Sequence, residues 1–188
     1  MNTSGGSFIR LGNPSPEINQ VASSAATQVR SGLKAQLARL WRYGLALSRS
    51  RDTAEDLVQA TCLRALERAE QFEPGTRLDR WLFAILRSIW LNDIRSRKIR
   101  LGRGLIDAEE ALVVDGAREI ETNVSAAEVL RALGKLPDAQ REAVLLVYVE
   151  GYSYREAADL LGAPIGTIMS RLAAARSALT KPTRQGEN

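Results

Sequence analysis

The reactive side chains this sequence concentrates are cations and hydroxyls, not nucleophiles or metal ligands. Arg95, Arg97, Lys98 and Arg100 crowd together near mid-chain, and Thr167, Ser170, Arg171 and Arg176 recur at helical spacing near its end. Grouped cations hold phosphates. A helix face that is small and polar in the middle and cationic at its edges can press close to a DNA groove. Covalent chemistry is poorly provided for. The chain has no histidine, which removes the commonest general base and metal ligand. Its one cysteine, Cys62, leaves no second thiol for a disulfide or a zinc cluster, and no glycine loop is placed to cradle a phosphate. The composition therefore points away from an enzyme, leaving only carboxylate-based catalysis open, and calls for no cofactor, metal or small-molecule substrate.

A net charge of +4 and a pI near 9.6 suit an anionic partner, and the charge is unevenly placed. Residues 1–26, rich in Ser, Gly, Asn and Pro, read as a flexible tail. Residues 27–100 carry apolar residues at helical spacing and an excess of basic ones. In 101–124 the balance reverses: Asp107, Glu109, Glu110, Asp115, Glu119 and Glu121 face only Arg103 and Arg118, with glycines between them. This segment reads as a flexible acidic linker. A second helical unit spans 125–181, and 182–188 form a short polar tail. The fold class is all-α, two small helical domains joined by that linker. Val144 to Val149 has the propensity of a strand but helical flanks. No apolar run approaches the roughly 20 residues of a membrane span, and the N-terminus lacks the order of a signal peptide. A cytoplasmic protein is expected.

Within the second unit, Ser153 followed three positions later by Glu156 has capping-box spacing, so a helix starts there. It stops at Gly162, and Pro164 suits the first turn of the next helix. In that helix Ile165, Ile168, Leu172, Ala175 and Leu179 form one core stripe. The opposite face carries Thr167, Ser170, Ala173, Ala174 and Ser177, flanked by Arg171 and Arg176. Two helices joined by a short turn containing Gly match a helix-turn-helix, although plain helical hairpins share the pattern.

The first unit offers two further candidates. A helix from about Thr53 to Glu70, started by Asp52 or Thr53, buries Ala54, Leu57, Val58, Thr61, Cys62, Ala65 and Ala69. Its other side shows Asp56, Gln59, Leu63, Glu67 and Glu70, with Leu66 at the margin. A Pro74-Gly75 turn then leads to a helix that is apolar nearly all round at its start and strongly basic at its end. That helix is buried first and meets something anionic last. Trp81 and Trp90 are read as core, and Cys62 as packing.

The order of these blocks is similar to that in extracytoplasmic-function (ECF) sigma factors, group 4 of the sigma-70 family. Leu136-Pro137, Arg141-Glu142-Ala143, the run Glu150 to Ala158, Leu161-Gly162 and the run Gly166 to Leu172 resemble domain 4, which reads the promoter −35 element. Asp52 to Gln59 resembles the domain 2 helix that docks on the β′ clamp of RNA polymerase, and Gln71 to Arg95 the segment that opens the −10 element. The resemblance implies a transcription initiation factor. Asp56, Gln59 and Leu63 would bind core polymerase. Phe72, Thr76, Arg77, Arg80, Arg87, Ser88, Asn92, Arg95, Arg97, Lys98 and Arg100 would hold −10 DNA. Arg155, Thr167, Met169, Ser170, Arg171, Ala174 and Arg176 would address the −35 groove. Implied partners are core polymerase at its β′ clamp and β flap, promoter DNA, and an anti-sigma factor, which would hold the protein near the membrane if itself anchored there. The resemblance also implies that the acidic linker enters the polymerase's RNA exit path. Ser88 and Asn92 stand where relatives usually carry Asn and often Asp, and Met169 and Ala173 where many carry a basic and a large side chain. A rival reading is a dimeric helix-turn-helix regulator that binds duplex DNA without polymerase.

Overall fold

The computed structural model describes residues 16–100 and 132–180, with side chains for all of these except 16–23, 98 and 100. The acidic segment and both extreme tails lie outside them. Among the described residues six α-helices form: α1 (Pro16–Ser48), α2 (Arg51–Glu67), α3 (Leu78–Arg100), α4 (Asp138–Val144), α5 (Tyr154–Leu161) and α6 (Ile165–Thr180). A 3-10 turn, Ala69–Gln71, follows α2, and a π-helical turn, Leu145–Val149, extends α4. The strand-prone stretch is therefore helical, as its flanks foretell. None of the described helices is long and apolar enough to cross a membrane.

Helix α1 begins at Pro16, eleven residues before residue 27, where the helical domain is read to start from sequence. Proline fits the first turn of a helix because its φ is preset and its missing N–H is not needed there. Ala25 and Val29 are fully buried, so packing holds this part of the helix. Helices α1 and α2 form an antiparallel pair that comes close at Gly44, where a Cβ would sit 3.3 Å from the Ala54 backbone. The connection between them is tight. The Ser48 hydroxyl donates to the Gly44 carbonyl at 2.8 Å and accepts the Ser50 N–H at 3.3 Å, while Arg49 takes a left-handed φ of 57°. Ser50 caps α2 by accepting the Thr53 N–H, so the helix starts slightly before the Asp52 or Thr53 expected from sequence.

Helix α3 lies across the pair and contributes Leu82, Phe83, Leu86 and Trp90 to the core. Each such side chain, fully buried, stabilises the fold by about 1.5–3 kcal/mol. In the second domain α5 has the complete capping box: Glu156 accepts the Ser153 N–H at 2.8 Å, and the Ser153 hydroxyl accepts the Glu156 N–H at 3.2 Å. It ends on Gly162 at φ 61°. Ile168, Leu172 and Ala175 of α6 are buried, but the ends of the expected stripe, Ile165 and Leu179, are exposed. The helix outruns its partners at both ends, so periodicity overstates the buried length.

The two domains pack against each other, which the sequence reading does not anticipate. Tyr152, between the π turn and α5, sets its ring 5.7 Å from that of Phe83, which in turn lies 4.7 Å from Tyr43 of α1. One apolar core runs through both domains.

Candidate nucleic-acid interface

Helix α2 turns Ala54, Leu57, Thr61, Ala65 and the following Ala69 inward, leaving Val58 and Cys62 partly buried. Burial raises the Cys62 thiol above its ordinary pKa, consistent with packing and not with reactivity. On the outer face Asp56 and Gln59 are exposed, and Leu63 is 60% exposed beside Leu66 at 43%. Two leucines in solvent on one helix face make a compact apolar spot inside an acidic stripe.

Helix α6 presents its small face outward. Ser170, Ala173 and Ala174 are exposed, Met169 and Arg176 stand beside them, and Thr167 and Arg171 are half-buried. The Ser170 hydroxyl donates to the Thr167 carbonyl, and Arg176 donates to the Tyr148 hydroxyl at 3.2 Å. Arg155 is exposed on α5. These residues form one surface at the helix-turn-helix.

The candidates around α3 divide. Phe72, expected in the DNA-binding set, is only 2% exposed and packs 5.4 Å from the Trp81 ring, so it belongs to the core here. Thr76 is exposed, its hydroxyl donating to the Glu73 carbonyl. Arg87, Ser88, Asn92 and Arg95, with Ala84, Leu91 and Leu160 of α5, line a cavity of about 250 Å³. Arg95 donates to Asn92 at 3.1 Å, and Arg97 pairs with Asp93 at 2.7 Å. The Lys98 and Arg100 side chains lie outside the described residues.

The remaining arginines meet the second domain. Arg77 contacts Glu156 at 3.0 Å and Asp79 at 2.7 Å. Arg80 lies 3.8 Å from Glu156 and 3.6 Å from Asp159, and Arg87 2.9 Å from Glu142. Burial pushes Asp79 toward neutrality, but hydrogen bonds and charge from Arg77, with Arg39 beyond, hold it below its ordinary pKa. Glu156 is held low first by the Ser153 N–H, then by Arg77 and Arg80. Sequence reasoning missed four further participants, Arg39, Arg42, Glu150 and Arg141. Glu150, its side chain almost wholly buried, accepts from Arg39 at 2.6 Å and Arg42 at 3.0 Å. Arg141, 2% exposed, donates to the carbonyls of Ala46 and Leu136 and to Asp138. Charged residues inside an apolar pattern were the available signal.

Comparison with known proteins decides what this arrangement belongs to. Residues 33–99 match the model of sigma-70 region 2, and residues 126–179 that of sigma-70 region 4. The chain is 38% identical over 152 residues to the ECF RNA polymerase sigma factor EcfG of Rhodopseudomonas palustris, covering 81% of this chain and 83% of that protein. It belongs to the ECF sigma factors. Members of this family are transcription initiation factors without catalytic chemistry of their own, which agrees with a site made of cations and hydroxyls. The SigC factor of Mycobacterium tuberculosis is 37% identical over 78% of both chains. Among solved structures, the sigma factor RpoE in complex with the anti-sigma factor NepR, from Bartonella quintana, matches with a TM-score of 0.66 and 34% identity, covering 81% of this chain and 94% of that one. The sigma-factor domain 2 and domain 4 are thus the two packed units.

Proposed function

We propose that this sigma factor divides promoter recognition among three surfaces. The outer face of α2, through Asp56, Gln59 and Leu63, docks on the β′ clamp of core RNA polymerase. The loop before α3, with Thr76, Arg77 and Arg80, and the α3 face bearing Arg87, Ser88, Asn92 and Arg95, hold the opened −10 strand; Arg97, Lys98 and Arg100 hold its phosphates. Helix α6, with Thr167, Met169, Ser170, Arg171, Ala174 and Arg176, and Arg155 of α5, enter the −35 groove, while the rest of domain 4 meets the β flap. Because Met169 and Ala173 are not long basic or polar side chains, phosphate contacts and groove shape carry much of the recognition there. The single observation that carries this reading is the outward face of α6, small and polar with arginines at its margins.

An anti-sigma factor is a further proposed partner: the RpoE relative is seen with NepR, and the cytosolic domain of CnrY accompanies CnrH, a structure matching at TM-score 0.54 and 25% identity. The acidic segment 101–124, outside the described residues, is proposed to enter the RNA exit path. Reconstitution with core polymerase on a promoter library, followed by transcript sequencing, tests the reading. Promoter-selective synthesis supports it. Tight duplex binding by a homodimer, with no selectivity conferred on polymerase, would replace it with a conventional regulator.

A further inference from the structure

We propose that Ile165 and Met169 form an apolar ridge along one edge of α6 that reads the C5-methyl groups of thymines in the major groove of the −35 element. The inference deepens the reading of α6 as the −35 helix and rests on it. Residues four apart on a helix stack in one row, and Ile165, Met169 and Ala173 are spaced in that way. All three are exposed, Ile165 at 44% and Met169 at 50%, whereas Ile168 and Leu172 in the neighbouring row are buried. The ridge is therefore no part of the core. It runs beside Ser170 on the outward face, and the helix that carries it has Arg171 and Arg176 but no carboxylate. Cations unopposed by acids along the same helix suit a polyanion as the occupant of this face.

In the major groove thymine is distinguished by its C5-methyl group, and an apolar side chain set against that methyl takes both surfaces out of water. Met169 has no N–H to donate to a purine edge, so methyl contact is the base readout open to it. Ile165 and Met169 lie about 6 Å apart along the helix axis, close to two base steps of about 3.4 Å each. The ridge can thus meet methyls two base pairs apart. Phosphate contacts and groove shape position the helix, and the ridge adds a direct preference for A·T pairs in one orientation.

The test uses the full chain assembled with core polymerase. Its probes are synthetic duplex pools randomised over the −35 window, with that window made from either thymidine or deoxyuridine, which lacks only the methyl. Bound duplexes are separated by gel shift and sequenced. Thymine is expected to be enriched at one position, or at two positions about two base pairs apart, and uracil there should weaken binding about threefold per methyl. Met169→Ala should bring the thymine-to-uracil affinity ratio at one such position close to unity, and Met169→Leu should keep it. Arg171→Ala should weaken both pools alike. Far-UV circular dichroism should be unchanged by Met169→Ala, since the side chain lies half in solvent. A selected element without A·T pairs, or thymines that uracil replaces at no loss, overturns the methyl readout and leaves the −35 assignment in place. No enrichment in either pool overturns the −35 assignment itself. If Met169→Ala keeps the ratio, the ridge is not in the groove; a simultaneous fall in affinity for core polymerase would make it a polymerase contact instead.

Discussion

Arg141 shows how much a single buried cation can hold. Its guanidinium reaches the Ala46 and Leu136 carbonyls and Asp138 at 2% exposure, and burial lowers its pKa although Asp138 opposes the shift. Truncation leaves buried acceptors without donors, each costing about 1–3 kcal/mol. Arg141→Ala is expected to destabilise the chain by about 3 kcal/mol or more, readable as a lowered urea midpoint. Lysine should rescue poorly, because its single ammonium cannot reproduce the fork. On the α6 surface Arg171→Ala should weaken −35-dependent transcription and reduce the salt slope of DNA binding by about one unit if it meets one phosphate; an unchanged slope removes it from the interface. Asp56→Ala with Leu63→Ala should abolish core-polymerase binding in a pull-down while leaving the far-UV circular dichroism intact, because both side chains lie in solvent.

At the scale of elements, the left-handed stop of α5 carries the helix-turn-helix. Gly162→Val places a β-branched residue at φ 61°, costing about 1–2 kcal/mol, and should lower the melting temperature and −35 binding together. That turn was legible in the sequence because capping chemistry is local: Ser153, Glu156 and Gly162 act on backbone within a few residues of themselves. The exposed stripe of α2 was legible for a similar reason, since periodicity sorts faces without knowing what covers them. The burial of Phe72 was not legible because it depends on Trp81, which lies on the far side of the turn at Pro74-Gly75. The start of α1 was missed because Pro, Ser and Asn in residues 1–26 resemble a tail by composition, whereas Ala25 is held by contacts distant in sequence. Least legible was the packing of the two domains. Arg39 and Glu150 are 111 positions apart, and no local pattern announces such a pair.

For the whole molecule, charge makes the packing of the two domains sensitive to acid. Glu156 is held below its ordinary value of 4.5, first by the Ser153 N–H and then by Arg77 and Arg80 across the domain contact. The Ser153 bonds survive separation of the domains but the arginine contacts do not, so at Glu156 the packed state binds fewer protons than the separated one; the advantage is present above the ordinary value and lost as the pH falls through the depressed one. The chain should expand as pH drops from about 5 to about 3, with scattering or hydrodynamic radius as the measure. One further property follows from having Arg87 and Glu142 on the same polypeptide. Dilution cannot separate an acid and a base that share a chain, so the packed fraction should be the same at a few copies per cell as at thousands. Making more of the protein would then not part its two domains; only a competitor for one of them would.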